Sequence, residues 1–211
     1  MSDLLETYKT IEGRNQTEFE EEKSRFITNI AYVESEEEAI YFIDDISSIH
    51  KDATHNCTAY IINTIPEIKR YSDDGEPSGS AGYPMLSVLE KEEVKNVAVV
   101  VTRYFGGKLL GKGGLVRAYS KGVSDGLDGK VVYKKPFYIV ELIHSYSNLG
   151  IIENYISENK LMVIDKDFTD EVKIKIYVST DDFNRVKNDL INLTSAEIEI
   201  KTIDQQMLFT K

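Results

Sequence analysis

The sequence contains a single cysteine, Cys57, and no apolar run of about 18 residues or more. A lone thiol cannot form an internal disulfide, which fits a protein of a reducing compartment. Without a long apolar run, no transmembrane helix is expected. The first residues, MSDLLETYKT, also lack the basic start and apolar core of a signal peptide. We therefore expect a cytoplasmic protein that has no membrane partner.

Acidic residues are absent between Glu93 and Asp125, although the formal net charge of the chain is −11. That interval instead contains six cations: Lys95, Arg103, Lys108, Lys112, Arg117 and Lys121. The negative total counts against a protein coated in nucleic acid. Charges act mainly within a Debye length of about 8 Å at physiological salt. An acidic chain can therefore carry one face that binds anions.

The first part of the chain has the patterns of an α+β domain. Ser35 and Glu38 have the spacing of a capping box, and the apolar positions that follow predict a helix over residues 36–49. Further predicted elements are strands at 58–64 and 97–101, a loop at 65–83, a short helix at 85–91 and a helix at 113–127. We expect a mixed sheet packed by the helices at 36–49 and 113–127.

A second domain is predicted after Lys134-Lys135-Pro136, which gives domains of residues 1–133 and 134–211. Apolar residues from Val172 to Val178 alternate with polar ones, as in a half-buried strand. The whole segment has the order strand-helix-strand-strand-helix-strand, which is typical of a ferredoxin-like sandwich. The predicted fold class is therefore α+β with two domains.

Three stretches of the first domain carry a family resemblance. They are KSRF (23–26) with DATHNCTAY (52–60), YSDDGEPSGSAGYP (71–84) and VTRYFGGKLLGKGGLVRAYSKGV (101–123). Together they resemble the IMPACT family, in particular its bacterial YigZ-type members, which append a ferredoxin-like module. The resemblance implies an N-terminal βαβ fold like that of a small-subunit ribosomal protein and of domain IV of elongation factor G. Eukaryotic members regulate translation by competing for the activator of a kinase, and they carry an extra RWD domain. The resemblance implies a link to translation, but we do not expect the kinase-regulating role, since no segment of the sequence corresponds to the RWD domain.

The glycine-rich stretch is the main candidate site. Gly106 to Lys112 has the spacing of a P-loop, but Gly113 stands where a P-loop needs Ser or Thr, so a nucleotide-hydrolysing loop is not expected. Glycine amides and a helix N-terminus nevertheless suit a phosphate. The alternative is that the glycines only turn the chain and the lysines are solvated. The predicted binding residues are Arg103, Tyr104, Gly106, Gly107, Lys108, Gly111, Lys112, Gly113, Gly114 and Arg117.

An acidic loop is expected to wall this site together with His55. Its carboxylates, from Asp73, Asp74 and Glu76, are close enough in sequence to bind a metal. The spacing of a calcium loop is absent, however, and Asp-Asp-Gly is ordinary turn chemistry. We predict no metal and no cofactor, and we expect the acids to pair with the glycine-loop cations or to cup the mouth of the site.

His55 and Cys57 face the same side of a regular strand, and Asn56 faces the other. This spacing is open to a nucleophile and its base, but hydrolytic cysteine chemistry also needs an oxyanion hole and a group that orients the base. We favour a buried Cys57 beside a hydrogen-bonded His55, with His55 placed to meet Asp73 or Glu76.

The sequence therefore predicts a non-catalytic binding protein for RNA or a ribosome-associated factor. Two alternatives stay open. One is a hydrolase that acts on a phosphorylated small molecule in the same cleft, and the other is a protein-interaction module that recognises an acidic partner.

Overall fold

A computed structural model describes residues 6–211 of the chain. Two compact units are present: one comprises residues 8–134 with 209–211, and the other contains residues 135–208. Both contain helices and β-sheet, which confirms the predicted two-domain α+β fold. In the described part of the chain, no helix has the length and apolar character that crossing a membrane requires.

The first unit is built on a five-stranded sheet. After the short strand β1 (Tyr8–Ile11), the sheet strands in chain order are β2 (Arg14–Glu21), β3 (Ser24–Tyr32), β4 (His55–Ile62), β5 (Ile68–Ser72) and β6 (Val97–Tyr104). Their spatial order is β2-β3-β6-β4-β5, and every neighbouring pair is antiparallel. The prediction of a mixed sheet is therefore wrong. The strands β3 and β4 run in the same direction, but β6 lies between them and opposes both.

Three helices cover the two faces of this sheet: α1 (Glu36–Ile49), α2 (Gly82–Lys91) and α3 (Gly111–Leu127). The central strand β6 sends Val97, Val99 and Val101 towards α2 and α3, and Ala98 and Val100 towards α1. A strand that is buried on both faces is apolar at every position, which is why this segment has no alternation. The predicted packing by the helices at 36–49 and 113–127 is confirmed. The helix α2 packs on the same face of the sheet as α3.

The N-terminus of α1 is capped by side chains, as predicted. Ser35 Oγ accepts a hydrogen bond from the backbone N–H of Glu38 at 3.2 Å. The Glu38 carboxylate accepts from the N–H of Glu34 at 2.8 Å, one residue before the position that a capping box uses. The helix start is therefore fixed by the residues that predict it.

The segment 65–83 contains more regular structure than predicted. Residues Ile68–Ser72 form β5, and α2 begins at Gly82. The strand β5 lies at the edge of the sheet, has β4 as its one neighbour among the strands of residues 6–211, and exposes most of its residues. An exposed edge strand needs no apolar alternation, so its sequence did not reveal it.

The second unit has the predicted order of elements. These are β7 (Val131–His144), α4 (Leu149–Glu158), β8 (Met162–Phe168), β9 (Val172–Ser179), α5 (Phe183–Leu193) and β10 (Ile198–Thr210). The sheet order is β10-β7-β9-β8, and alternate residues of β9 enter the core with Ile152, Val186 and Leu190. This arrangement is the ferredoxin-like sandwich.

The strand β7 continues without a break through Lys134-Lys135-Pro136, the segment at which the domain boundary is predicted. Lys134 is only 7% exposed. Its Nζ donates to Tyr32 Oη at 2.6 Å and to Glu34 at 2.7 Å, and it lies 4.5 Å and 4.6 Å from the ring centroids of Tyr32 and Phe209. The basic residues therefore belong to packed structure rather than to an exposed linker.

Close packing of α3 on the sheet depends on a glycine. A Cβ atom at Gly122 would lie 2.6 Å from Thr28 Oγ1, a shorter separation than real Cβ atoms show. Thr28 lies in the middle of β3 and is buried. The absence of a side chain at Gly122 is therefore what lets the helix approach this strand.

We expect Gly122→Ala to destabilise the protein by about 1–3 kcal/mol, since overpacking a buried contact forces neighbouring atoms apart. Urea unfolding measures the change. The matched control is Gly150→Ala in α4, where a Cβ meets nothing within 4 Å, and which should be neutral or stabilising by about 0.4–1 kcal/mol. Equal effects of the two substitutions would contradict the packing argument.

Candidate functional site

A buried ion pair lies at the end of the first sheet where β6 finishes and β3 and β4 begin. Arg103 stands opposite His55 on β4 and opposite Phe26 on β3. Its Nη1 donates to Glu76 Oε1 at 2.7 Å, and the two side chains are only 6% and 3% exposed. Two charges so deeply buried require each other, because neither has water to solvate it.

Two hydroxyl groups also hydrogen-bond to this pair. Tyr119 of α3 donates its hydroxyl to Glu76 Oε1 at 2.8 Å, and Arg103 Nη2 donates to Ser24 Oγ at 3.3 Å. The guanidinium also lies 5.6 Å and 5.5 Å from the ring centroids of Phe26 and Phe105. One network therefore connects the acidic loop, the central strand β6, the first residue of β3 and helix α3.

Asp73 holds the acidic loop in shape. Its carboxylate accepts hydrogen bonds from the backbone N–H groups of Gly79 at 2.8 Å, Ala81 at 3.1 Å and Gly82 at 2.9 Å. Partial burial acts to raise the pKa of Asp73, but these three donors and nearby Lys112 outweigh it and leave the pKa below its ordinary value. The loop thus folds around a carboxylate that stays ionised.

His55 and Cys57 lie side by side over the acidic loop, as predicted. His55 Nδ1 is 2.7 Å from the carbonyl oxygen of Asp74, and its Nε2 is 3.8 Å from Glu76 Oε2. Cys57 is fully buried, and its thiol donates to the carbonyl oxygen of Asp73 at 3.1 Å. Burial raises the pKa of Cys57 to about 12. The thiol is therefore unsuited to act as a nucleophile near neutral pH.

Asn56 faces the opposite side of β4, where its Oδ1 accepts from Thr102 Oγ1 at 2.7 Å. The expected split between Asn56 and its two neighbours is thus confirmed. Asn56 also donates its backbone N–H to Asp74 Oδ2 at 2.5 Å, so the Asp74 carboxylate is engaged at the rim of the loop.

The glycine-rich loop is anchored at its start and open further on. A Cβ at Gly106 would lie 1.8 Å from the carbonyl oxygen of Lys23, so only glycine fits against the β2–β3 turn. The N–H of Gly106 donates to Ser24 Oγ at 3.3 Å. Gly107 and Gly111 have φ values of +85° and +69°, which favour glycine, and a Cβ at either would meet nothing within 4 Å.

Three of the predicted binding residues do not lie on an open anion-binding surface. The Arg103 side chain is buried beneath the loop. Tyr104 points to the other face of the sheet, where its hydroxyl is 3.0 Å from His50 Nδ1. Lys108 forms an ion pair with Glu22. Arg103 therefore supports the loop from below, and Lys108 has its charge balanced locally.

The other predicted cations meet at the first turn of α3. Gly111, Lys112, Gly113 and Gly114 form that turn, and no side chain caps the helix. Within residues 6–211, no carbonyl or side chain accepts from the N–H groups of Gly111 to Gly113. The Arg117 guanidinium reaches back over the turn, because Nη1 lies 3.6 Å from the position that a Gly113 Cβ would take. Lys112 and Arg117 are exposed, and neither forms an ion pair in the described part of the chain.

Sequence reasoning overlooked Ser24 and the hydroxyl of Tyr119. Ser24 lies within the KSRF stretch, but its sequence neighbours say nothing of the loop that it meets. The helical spacing predicts Tyr119 only as an apolar position, and it does not indicate that the hydroxyl of this side chain reaches Glu76. No group of three or more His, Cys, Asp or Glu side chains among residues 6–211 is arranged to hold a metal ion.

We expect Glu76→Gln to destabilise the protein by about 3–5 kcal/mol, because it leaves the buried Arg103 charge without a counter-charge. Urea unfolding at neutral pH tests this. The control is Glu18→Gln, which removes a carboxylate from an exposed bidentate pair with Arg25 and should lower the free energy of unfolding by no more than about 1 kcal/mol. A Glu76→Gln midpoint equal to that of the wild type would contradict the role of the pair.

Asp73→Asn should make the free energy of unfolding depend less on pH in the acidic range. The pKa of Asp73 is lower in the folded protein than its ordinary value of 3.8. Such a carboxyl stabilises the folded state at pH values above 3.8, and this stabilisation is lost as the pH falls through the pKa of the folded state. The difference in unfolding free energy between wild type and Asp73→Asn should therefore be largest near neutral pH and shrink below 3.8. Urea titrations from neutral pH to about pH 3 measure it, and a constant difference would contradict the prediction.

Comparisons with known proteins define the family. Residues 22–127 match the Impact N-terminal domain, and residues 142–197 match a domain of unknown function, DUF1949. The chain is 42% identical over 199 residues to IMPACT family member YvyE of Bacillus subtilis (strain 168), covering 94% of this chain and 92% of the relative. It is 32% identical over 186 residues to IMPACT family member YigZ of Escherichia coli (strain K12), covering 87% and 91%.

A solved structure agrees along almost the whole chain. The crystal structure of an hypothetical protein superimposes with a TM-score of 0.60 at 31% sequence identity, covering 95% of this chain and 99% of that chain. Both the sequence and the fold are therefore shared with known relatives over nearly their full length. The chain belongs to the IMPACT family.

Proposed function

We propose that the protein binds RNA, or an RNA-bearing part of the translation machinery, at the first turn of α3. The observation that carries this proposal is the group of donors at that turn. The N–H groups of Gly111 to Gly113 have no acceptor within the described residues, and Lys112 and Arg117 stand beside them without ion pairs. Membership of the IMPACT family supports a role connected with translation.

The charge balance around the turn favours an anion. Glu21 lines a cavity together with Gly114 and Arg117 and forms no ion pair in the described part of the chain. Four other nearby carboxylates have internal partners: Glu76 has Arg103, Asp73 has three backbone amides, Asp74 has the amide of Asn56, and Glu22 has Lys108. These acids are engaged within the protein, whereas the donors at the turn are not. An anion can therefore approach the turn although the chain as a whole is negative.

A phosphate group suits these donors better than a carboxylate on a protein. The N-terminus of a helix presents amides and the positive end of the helix dipole to a phosphate. The arginine fork adds bidentate hydrogen bonds to phosphate oxygens, and lysine adds a point charge. Tyr104 faces the other side of the sheet, and Phe105, which is 45% exposed beside the glycine-rich loop, can stack on a base of any sequence. We therefore expect binding through the RNA backbone, with weak preference for base sequence.

The experiment is fluorescence-anisotropy binding of a structured RNA and a single-stranded RNA, titrated from low to physiological salt. The variant is Lys112→Glu with Arg117→Glu. We expect its affinity to fall by about tenfold or more, and the slope of log affinity against log salt to fall by about one per contact removed.

The matched control is Lys160→Glu with Lys187→Glu, two exposed lysines of the second unit that have no ion-pair partner in the described part of the chain. It changes the net charge equally and should retain most of the affinity. Equal losses would mean that RNA senses only the total charge, and an unchanged salt slope would remove Lys112 and Arg117 from the site. If neither RNA binds and a phosphate ester is turned over, the hydrolase alternative is favoured.

A further inference from the structure

Helix α1 exposes apolar side chains on a strongly acidic background. Ile40, Tyr41 and Ile49 are 48%, 70% and 65% exposed. From Phe26 to His50 the chain has six acids and no lysine or arginine. Three of these acids form ion pairs, Glu34 with Lys134, Glu36 with Arg70 and Asp45 with Arg14, whereas Glu37, Glu38 and Asp44 have no ion-pair partner in the described part of the chain. Exposed apolar groups beside unpaired charges of one sign are more typical of an interaction surface than of ordinary solvated helix.

A groove runs beside these residues, between α1 and the edge of the sheet. It has a volume of about 360 Å³, and we call it the α1 groove. Its apolar lining comes from β3 and α1, and its rim carries charged groups. The lining residues are Arg14, Ala31, Tyr32, Val33, Glu37, Glu38, Tyr41 and Phe42.

The acids at the rim have no internal cation. Glu38 accepts only from the backbone N–H of Glu34, and Glu37 forms no ion pair in the described part of the chain. The backbone N–H of Glu37 itself, followed by Ser35, lowers the pKa of Glu37, so its carboxylate stays ionised. One turn further on, Asp44 is exposed and also lacks a partner among the described residues. The rim is therefore an unbalanced negative surface.

Arg14 shows the kind of group that the groove accepts. Its guanidinium carbon lies 5.3 Å from the ring centroid of Phe42, and Nη1 lies 3.5 Å from Asp45 Oδ2. A cation on an aromatic ring beside a carboxylate is favourable for both lysine and arginine. One end of the groove thus already holds a guanidinium, while Glu37 and Glu38 remain unpaired along the rim.

We propose that the α1 groove docks a basic amphipathic segment of another protein. Apolar side chains of the segment enter the groove beside Tyr41 and Phe42, and its lysines or arginines meet Glu37 and Glu38. The negative rim repels nucleic acid, anionic lipid and a second copy of the same surface. An amphipathic segment that lays its apolar face into a groove is a common mode of peptide recognition.

This surface is separate from the first turn of α3, because α1 packs on the opposite face of the sheet from α2 and α3. Its chemistry is also opposite, since it attracts cations. The inference therefore goes beyond RNA binding, and each can fail without the other.

The probe is a synthetic helical peptide of leucine and lysine with about 14 residues and one apolar face. Binding is followed by two-dimensional NMR of the full chain and by fluorescence anisotropy. We expect shift changes centred on Ala31, Val33, Tyr41 and Phe42. Tyr41→Ser with Glu37→Lys should weaken binding about tenfold or more; Tyr41 is 70% exposed, so this variant should stay folded.

Two controls separate the groove from general attraction to an acidic protein. Ile203→Ser with Glu197→Lys makes the same charge change and also replaces an exposed large apolar side chain by serine, at exposed positions of the second unit; it should keep the affinity within about twofold. A peptide in which serine replaces leucine should bind at least about tenfold more weakly. Equal loss in the two double variants, equal binding of the two peptides, or shift changes away from the groove would each overturn the proposal.

Discussion

The ion pair between Glu76 and Arg103 determines the arrangement at the candidate-site end of the first unit. Both charges are buried, so each depends on the other and on a small set of hydroxyl and aromatic neighbours. These neighbours belong to β3, β6, α3 and the acidic loop. A low-dielectric site tolerates few alternative arrangements of charge, because any of them leaves a group unsolvated. The pair therefore fixes the acidic loop against α3, next to the open first turn.

The elements with clear periodicity could be predicted from the sequence. The helix α1 has a capping serine and apolar residues at helical spacing, and β9 alternates along its whole length. The order of elements in the second unit follows from similar patterns. The edge strand β5 and the continuity of β7 through Lys134 could not be predicted in this way, because they depend on partners that are distant in sequence.

The site shows a different limit of sequence reasoning. Counting charges placed Arg103 with Lys108 and Lys112 on one surface, although Arg103 is buried. A signal was available, since Arg103 shares the parity of Val97, Val99 and Val101 along β6 and therefore faces the same packed side. The partner of Lys108 could not be foreseen, because Glu22 lies 86 positions away in the sequence. Charge patterns show which residues are present, and burial decides which of them can meet a ligand.

The position of Phe209 bears on how the protein forms during synthesis. The ring centroid of Phe209 lies 5.0 Å from that of Tyr32 and 4.6 Å from Lys134 Nζ, both in the first unit. In the chain, however, Phe209 follows residues 135–208 of the second unit. A polypeptide is made from its N-terminus, and domains tend to fold as they emerge. The first unit therefore lacks the packing of the Phe209 ring until the second unit has been translated. A premature stop codon near residue 205 would therefore remove packing from the domain that was synthesised first.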